Sequence, residues 1–325
     1  MSKRKKSTIH GILAINKPAG PTSRAVLNEV ARLFGERRCG HAGTLDPAAT
    51  GVLVVAFGEA TKVVRWLVEG GKSYRALVQF GRATSTDDAA GEVTAEAPCP
   101  VVDAAQLLAA ARRELGEFDQ LPPSVSALRR DGVRDHERVR RGEVVERSPR
   151  RVRLDDVRLL DFDGETATFD LDTGPGFYVR AWARDLGVAL GSAAHLAGLE
   201  RRSASAIGLE ETMDMATLRQ MEIDDRHQQL RQVGEVLRRR IPSLRVNEET
   251  ALMLRQGKRP LVDCSELALP AESVLIETAE NGVLVCIAGA QAAPEGEDSA
   301  QTEALEMPRA QLVVVRGFDP SIEIR

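Results

Sequence analysis

Short apolar runs and alternating apolar positions divide the first two thirds of the chain into predicted strands and helices. The predicted strands share an apolar side chain at every residue or every second residue, and they cover residues 10–16, 52–57, 74–80, 152–159 and 167–171. The predicted helices share apolar positions three and four residues apart, and they cover residues 23–34, 103–115 and 177–190. Ser23 is the predicted cap of the first helix, because a serine hydroxyl can accept a hydrogen bond from a free backbone N–H.

A change of pattern near residue 238 predicts two domains, residues 1–238 and residues 239–325. A run of arginines followed by a proline marks the boundary. Beyond it, the pattern predicts one helix and three strands, at residues 248–256, 273–277, 283–287 and 311–318. Residues 291–308 contain five acidic residues and no basic one, so we expect an acidic, mobile loop inserted in the second domain.

The overall charge argues against a generally basic nucleic-acid-binding protein, since the net charge is −4 and the pI is about 5.9. Binding to RNA would therefore need basic residues gathered on one face. Residues 129–153 are a candidate, with ten arginines against five acidic residues. A single charged run is nevertheless more often a solvated surface.

The cysteines and the apolar stretches restrict the class of protein further. The four cysteines are scattered without a C-x-x-C motif, so the sequence predicts neither a zinc site nor a disulfide framework. No stretch reaches the roughly twenty apolar residues of a membrane-spanning helix, and no secretory signal follows the basic N-terminus. We therefore expect a cytoplasmic protein with reduced thiols and no membrane association.

One carboxylate stands on a short turn directly before an apolar run. Residues 40–50 read G-H-A-G-T-L-D-P-A-A-T, which places Asp46 between Gly43 and Pro47. A carboxylate held rigidly at the edge of a core strand is suited to act as a nucleophile. Taken alone, however, the segment favours an ordinary Asp-Pro turn, because both residues are common turn formers.

Eight blocks of sequence, in order along the chain, change that interpretation. They read K-P-A-G-P-T-S, G-H-A-G-T-L-D-P, G-E-A-T-K, K-S-Y, G-x-x-T-x-T-x-D-x-x-G, P-P-x-x-S-A, F-Y-V-R and D-L-G, and they begin at residues 17, 40, 58, 72, 81, 122, 177 and 185. In these blocks the chain resembles the TruB family of tRNA pseudouridine synthases over nearly its whole length. One short motif is weak support, but eight at family-like spacing are not accidental.

The resemblance implies both a fold and a reaction. The implied fold is α+β, with a mixed, mostly antiparallel sheet of the pseudouridine-synthase type, flanking helices and a small C-terminal β-barrel-like domain of the PUA type. The implied reaction is the isomerisation of uridine to pseudouridine in the T-loop of tRNA, at position 55 in tRNA numbering. Because this reaction has no redox step, no metal or organic cofactor is expected. The expected partner is tRNA, with no protein partner required.

The resemblance also assigns roles to residues of the site. Asp46 is the implied catalytic carboxylate, and Arg180 is the implied partner whose guanidinium favours the ionised carboxylate. Whether Asp46 adds covalently to the sugar or promotes a glycal route stays open. Tyr74 is implied to stack on the uracil and is a candidate base. The implied substrate-binding residues are His41, Tyr74, Tyr178 and Leu199.

Binding of RNA is expected to involve a flipped nucleotide, because the target atoms are inaccessible in a stacked loop. The candidate phosphate contacts, for which salt-sensitive binding is expected, are Lys17, Lys62, Arg129 and Arg140. The chain departs from the family pattern at Val125, His136, Glu200 and Ala206. These departures bear on affinity and on the breadth of substrates rather than on the core chemistry.

Two further hypotheses remain beside a stand-alone tRNA enzyme. One is the related catalytic subunit that depends on a guide RNA, whose members carry longer N-terminal extensions than the short basic arm of this chain. The other is an RNA-binding or RNA-folding module with incidental catalysis. The presence of Asp46, Tyr74 and Arg180 together favours an enzyme.

Overall fold

The computed structural model of the protein describes residues 7–124, 129–130, 133–134, 147–265, 267–292 and 309–318. Its α-helices, in chain order, are α1 (Ser23–Leu33), α2 (Val64–Val68), α3 (Ala104–Ala111), α4 (Val179–Ala189), α5 (Met215–Gln220), α6 (Ile223–Gln228), α7 (Val233–Arg238) and α8 (Glu248–Arg255). Several sequence predictions lie outside the described residues, namely those on Val125, His136, Arg140 and residues 293–308 of the acidic loop.

The strands alternate with these helices along the chain. In chain order they are β1 (Gly11–Lys17), β2 (Cys39–Ala42), β3 (Thr50–Phe57), β4 (Lys72–Phe80), β5 (Arg82–Thr84), β6 (Val93–Glu96), β7 (Gly116–Gln120), β8 (Arg129–Arg130), β9 (Val133–Arg134), β10 (Arg150–Phe162), β11 (Thr166–Thr173), β12 (Ala194–Ala204), β13 (Ile207–Gly208), β14 (Met213–Asp214), β15 (Ser243–Val246), β16 (Leu261–Asp263), β17 (Ala271–Thr278), β18 (Leu284–Ala292) and β19 (Arg309–Gly317).

A ten-stranded sheet forms the larger part of the molecule. Its strand order is β14-β1-β3-β12-β4-β11-β10-β7, with β2 paired to β3 and β13 paired to β12. The pairs β1–β14 and β3–β12 are parallel, and the other pairs in this sheet are antiparallel. The predicted mixed, mostly antiparallel sheet with flanking helices is therefore confirmed.

The two halves of this sheet are buried differently. In β1, Leu13 faces a core that includes α1, whereas its neighbour Ile12 faces a core that includes α2 and α7. Both faces are therefore covered, which explains the continuous apolar runs of β1 and β3. In β4, alternate residues face a core with α3 and α4, and Arg75 on the opposite face pairs with Asp170 of β11 at 2.9 Å. The alternating pattern of β4 thus reflects one buried and one solvated face.

A second sheet of five strands lies at the C-terminal end, in the order β15-β17-β18-β19-β16, and α8 packs against it. Helices α2 and α7, which pack on the first sheet, adjoin the second sheet through apolar contacts and through hydrogen bonds and ion pairs. Trp66 Nε1 donates to Ser273 Oγ at 2.9 Å, and Arg238 Nε lies 3.0 Å from Glu277 Oε2. The described structure thus has a β-rich C-terminal part as expected, while the boundary between residues 238 and 239 stays a prediction.

The departure from the family pattern at Ala206 falls in the turn between β12 and β13. Ser205 and Ala206 form this two-residue turn with φ angles of 56° and 60°. Two positive φ angles in such a turn favour glycine or asparagine. Ser205 is fully buried, its hydroxyl donates to the carbonyl of Leu67, and its N–H donates to the carbonyl of Gly71 at 3.2 Å. Hydrogen bonds to the preceding segment therefore hold a turn that its own residues do not favour.

The strain at this turn leads to a prediction for stability. Replacement of Ala206 by glycine should raise the free energy of unfolding by roughly 0.5–1 kcal/mol, because glycine adopts a positive φ without the steric penalty of a Cβ atom. Denaturant unfolding of the two proteins measures the difference. The matched change Ser205→Gly relieves the same penalty but removes the buried hydroxyl, so it should give no gain. A loss of stability in Ala206→Gly would contradict the argument.

Candidate active site

The loop between β2 and β3 presents Asp46 on a short turn. The Asp46 carbonyl accepts the N–H of Ala49 at 3.1 Å, which closes the turn, and Gly43 enters the loop with a φ of 89°. Leu45, directly before Asp46, is buried with 3% of its surface exposed. The Asp46 side chain itself is 43% exposed. The loop is therefore anchored by its neighbours while its carboxylate remains open to a substrate.

Ser23 contributes to this anchoring and does not cap α1 as predicted. The N-cap of α1 is Thr22, whose side chain accepts the N–H of Ala25. Ser23 is buried, and its hydroxyl both donates to the Leu45 carbonyl and accepts the Leu45 N–H, each at 2.8 Å. The prediction of Ser23 as the cap was thus wrong by one residue, and the actual role of Ser23 is to fix the residue before Asp46.

Lys17 holds the other side of the turn, which corrects its predicted role as a phosphate contact. Its side chain is wholly buried, and its ammonium donates to the carbonyls of Pro18, Pro47 and Ala49 at 2.8, 3.1 and 2.7 Å. Burial lowers the pKa of Lys17 to about 8, against the opposing effect of the Asp46 charge. An ammonium with its three protons donated inside the protein is not available to RNA, so Lys17 is a structural support of the Asp46 turn.

Arg180 meets the Asp46 carboxylate from the first turn of α4. Its Nε lies 2.9 Å from Asp46 Oδ2 and 3.7 Å from Asp88 Oδ2, and its Nη1 donates to the Thr86 carbonyl at 2.9 Å. Only 9% of the Arg180 side chain is exposed. The first turn of a helix favours anions over cations, so the two carboxylates compensate for an otherwise unfavourable position. The geometry fixes the guanidinium and leaves Asp46 as the accessible member of the pair.

The loop after β5 explains how Arg180 is held. Asp88 Oδ1 accepts the hydroxyl of Thr86 at 2.6 Å and the N–H of Ala90 at 3.0 Å. Next to it, Asp87 pairs with Arg184 Nη1 at 2.9 Å, one helical turn after Arg180. Burial raises the pKa of Asp87, against the opposing effect of Arg184. Sequence analysis recognised this G-x-x-T-x-T-x-D-x-x-G block but assigned Asp87 and Asp88 no role.

A cavity of about 470 Å³ borders this network, and Thr84, Asp87 and Arg184 contribute to its lining. Asp46 and Tyr74 are not among the lining residues. The cavity therefore adjoins the network that supports Arg180 and is separate from the carboxylate of Asp46.

Tyr74 and Leu199 belong to the apolar cluster that covers the start of α4. Tyr74 is 7% exposed and belongs to an apolar cluster with Phe177 and Val179, and Leu199 packs against this cluster. Tyr178 is the N-cap residue of α4 and is partly buried. The structure therefore brings Tyr74 and Leu199 to the element that carries Tyr178 and Arg180.

Gln120 at the end of β7 fixes the backbone of Tyr178. Its side-chain amide donates to the Tyr178 carbonyl at 3.0 Å and accepts the Tyr178 N–H at 2.9 Å. Gln120 is almost fully buried. Since the next residues form the first turn of α4, this double hydrogen bond also orients the start of that helix.

The other predicted RNA-contacting residues with a described position are His41, Lys62 and Arg129. His41 is partly buried in β2, two residues before Gly43, and is paired with Val55 of β3. Lys62 lies between the two sheets, where its Nζ is 2.5 Å from Glu59 Oε2 and donates to the Gly317 carbonyl at 3.1 Å. Arg129 is described only as part of β8. Their roles in binding RNA stay predictions.

Two features are absent from residues 7–124, 147–265 and the other described ranges. Among them, no cluster of three or more His, Cys, Asp or Glu side chains is arranged to hold a metal ion. None of their helices combines the length and the apolar character that crossing a membrane requires.

Comparison with known proteins identifies the family. The model of the N-terminal domain of TruB family pseudouridylate synthases matches residues 31–179. A tRNA pseudouridine synthase B of Syntrophotalea carbinolica is 40% identical over 255 residues, which cover 78% of this chain and 83% of that protein. The chain belongs to the TruB family of pseudouridylate synthases. A tRNA pseudouridine synthase B of Ralstonia nicotianae is also 40% identical, over 85% of this chain and 88% of that protein.

Solved structures of this family's fold extend the comparison to nearly the whole chain. The crystal structure of a Cbf5–Nop10–Gar1 complex matches with a TM-score of 0.70 and 22% identity, covering 97% of this chain and 86% of that chain. The archaeal box H/ACA sRNP Nop10–Cbf5 complex matches with a TM-score of 0.69 and 21% identity, covering 97% and 88%. The resemblance deduced from the eight blocks and the predicted fold class are therefore confirmed.

The ion pair between Arg180 and Asp88 leads to a prediction for Asp88. The change Asp88→Asn removes one negative charge but keeps an oxygen to accept the N–H of Ala90. The single-turnover rate of pseudouridine formation should fall by about 10- to 100-fold, because a displaced catalytic group loses rate on this scale. The affinity for the RNA substrate should not change.

Asp163→Asn is the matched control for this prediction. Asp163 likewise accepts backbone N–H groups in a turn, from Glu165 and Thr166, and its pKa is lowered by these hydrogen bonds. It should keep the wild-type rate. A wild-type rate in Asp88→Asn would show that Arg180 does not depend on the second carboxylate.

Proposed function

We propose that the protein isomerises uridine to pseudouridine in the T-loop of tRNA, at position 55 in tRNA numbering, and that Asp46 is the catalytic carboxylate. The observation that carries the proposal is the ion pair between Asp46 and Arg180, in which the guanidinium is buried and the carboxylate is accessible. Membership of the TruB family supports the reaction, and the relatives named tRNA pseudouridine synthase B support the substrate.

The chemistry requires a group that can act at the sugar. In the isomerisation, the bond from N1 of uracil to C1′ breaks, a bond from C5 to C1′ forms, the C5 proton leaves and N1 gains a proton. Asp46 as an anion can add to C1′ or remove a proton from the sugar, and both routes need the carboxylate ionised. Arg180 places its positive charge 2.9 Å from this carboxylate. Because atoms and electrons balance within the nucleoside, the reaction needs no redox cofactor.

The other site residues act on the base. Tyr74 is proposed to stack on the flipped uracil and, in a second role, to take part in removing the C5 proton. Tyr178 and Leu199 are proposed to contact the turned-out uracil, and His41 is proposed to contact the RNA near the position that the uridine vacates. The uridine reaches Asp46 only after leaving the stack, since a stacked base shields its own glycosidic bond.

Lys62, Arg129 and Arg140 are proposed to contact phosphates of the tRNA. Such contacts release counterions, so the affinity for tRNA should weaken as salt concentration rises. The protein is proposed to act without a guide RNA or a protein partner. The relatives with about 40% identity are named as tRNA enzymes, which favours this over a guided subunit.

The test uses the purified full-length chain alone with unmodified tRNA, followed by mapping of pseudouridine. The wild type should modify a single uridine, in the T-loop. Asp46→Asn keeps the size of the side chain but loses its charge, so the single-turnover rate should fall by roughly 10³-fold or more while tRNA binding persists. Asp155→Asn is the matched control, because Asp155 is an exposed carboxylate 2.7 Å from Arg153.

Each other result contradicts a defined part of the proposal. Appreciable turnover by Asp46→Asn would remove Asp46 as the catalyst. Product formed only after a guide RNA is added would favour the guided subunit, and tight binding without product would favour an RNA-binding module. Release of free uracil would indicate hydrolysis in place of isomerisation.

A further inference from the structure

Arg201 of β12 is a buried cation that the chemistry described so far does not use. It is 1% exposed, and together with Lys17 it is among the largest side chains that the protein buries completely. Within the described part of the chain, no carboxylate lies at ion-pair distance from Arg201. Burying a charge without a counter-ion costs free energy, which the hydrogen bonds of the guanidinium must offset.

The guanidinium of Arg201 is instead bound to backbone carbonyls around the Asp46 loop. Its Nη2 donates to the Gly43 carbonyl at 3.0 Å and its Nη1 to the Thr44 carbonyl at 3.5 Å. Its Nε donates to the Val52 carbonyl at 2.7 Å. Gly43 and Thr44 begin the loop and Val52 lies in the strand that follows it. One planar group therefore joins the start of the loop to the strand after it.

The backbone of Arg201 touches the same loop at its other end. Arg201 pairs with Gly51 in the parallel ladder between β12 and β3. A Cβ atom on Gly51 would lie 2.2 Å from the Arg201 carbonyl oxygen, and the φ of Gly51 is 99°. Only glycine allows this approach. The main chain and the side chain of Arg201 thus enclose the loop from Gly43 to Gly51.

Arg201 also connects this loop to Tyr74. The two residues are direct partners in the antiparallel ladder between β12 and β4. Side chains of directly opposite residues lie on the same face of a sheet, about 5 Å apart at their Cβ atoms. The ladder therefore fixes Arg201 beside Tyr74, and the guanidinium fixes the loop of Asp46 to Arg201.

Two lysines near Arg201 show how positive this region is. Burial, together with a smaller effect of the Arg201 charge, lowers the pKa of Lys17 and of Lys72 to about 8 each. Lys72 donates to the carbonyls of Val68 and Gly70, so it too is held by backbone oxygens. The Asp46 charge opposes the lowering of the Lys17 pKa, and Asp46 lies on the loop that Arg201 binds.

We propose that Arg201 is a positioning residue for the reaction: it sets the distance between the carboxylate of Asp46 and the ring of Tyr74 by fixing the Asp46 loop to β12. The inference rests on the proposed function, since it assigns Arg201 to the same site. Arg201 does not touch the substrate. Its loss should therefore lower the rate of the chemical step without weakening the binding of tRNA.

The experiment compares three variants of the full-length protein in single-turnover assays and tRNA-binding assays. Arg201→Lys keeps the charge but cannot hold carbonyls at both ends of the loop, so its rate should fall by about 100-fold with an unchanged Kd. Arg201→Met should lose at least as much. Arg202→Met is the matched control, because Arg202 is the next residue of β12, is exposed and pairs with Glu200. It should keep the wild-type rate.

Hydrogen exchange without RNA gives a readout that does not depend on activity. In Arg201→Lys, the amides of residues 43–50 should exchange faster than in the wild type, while those of α8, which packs against the second sheet, should not change. Arg202→Met should match the wild type in both regions. This pattern would place the effect in the loop of Asp46 and not in the general stability of the protein.

The outcomes separate this inference from the proposed function. If the wild type makes no pseudouridine in tRNA, the proposed function fails, whatever the variants do. If the wild type is active and Arg201→Lys keeps its rate, or loses rate and affinity in parallel, the positioning role is overturned. Failure of both Arg201 variants to fold would also overturn it, because the guanidinium would then serve the stability of the sheet.

Discussion

The ion pair between Asp46 and Arg180 is the interaction on which the rest of the site depends. Its two members differ in exposure, since 43% of the acid and 9% of the base are accessible. A buried guanidinium cannot leave its position without losing its partners, which include Asp88. The exposed carboxylate, in contrast, can meet a substrate without breaking any other contact of Arg180. The pair therefore combines a fixed guanidinium with an accessible carboxylate.

The Asp46 loop is held in place mainly by hydrogen bonds to its own backbone. Lys17, Ser23 and Arg201 all bind carbonyl groups of the loop or of its flanking strands. Carbonyl oxygens are neutral, so they satisfy these donors without adding negative charge next to Asp46. A carboxylate in the same place would repel Asp46 and compete for Arg180. This arrangement explains why Lys17 and Arg201 have no carboxylate at ion-pair distance among the residues that the structure describes.

Much of the fold could be predicted from the sequence, and the exceptions have physical causes. The apolar runs of β1 and β3 and the alternation of β4 reflect local burial, so they predict strands directly. In contrast, β12 was not predicted. It contains alanine, glycine and the consecutive charged residues Glu200, Arg201 and Arg202, and its pairing with β3 and β4 makes it a strand.

The site residues also differ in whether the local sequence or the tertiary fold determines their position. Asp46 and Arg180 were predicted because they lie in recognisable blocks, although no spacing rule brings residues 46 and 180 together. The error at Lys17 arose because lysine is rarely buried, and only the fold supplies three carbonyls at its ammonium. Thr22 and Ser23 are equally able to cap a helix, and Leu45, a distant residue, decides between them.

The most direct test of the account is a crystal structure of the Asp46→Asn variant with an unmodified tRNA T-arm. The account predicts a uridine turned out of the RNA stack, with its C1′ about 3–3.5 Å from a side-chain oxygen or nitrogen of residue 46. The Arg180 guanidinium should lie beside the same side chain, and the ring of Tyr74 should lie against the uracil. A turned-out uridine bound with its sugar out of contact with residue 46 would contradict the central claim.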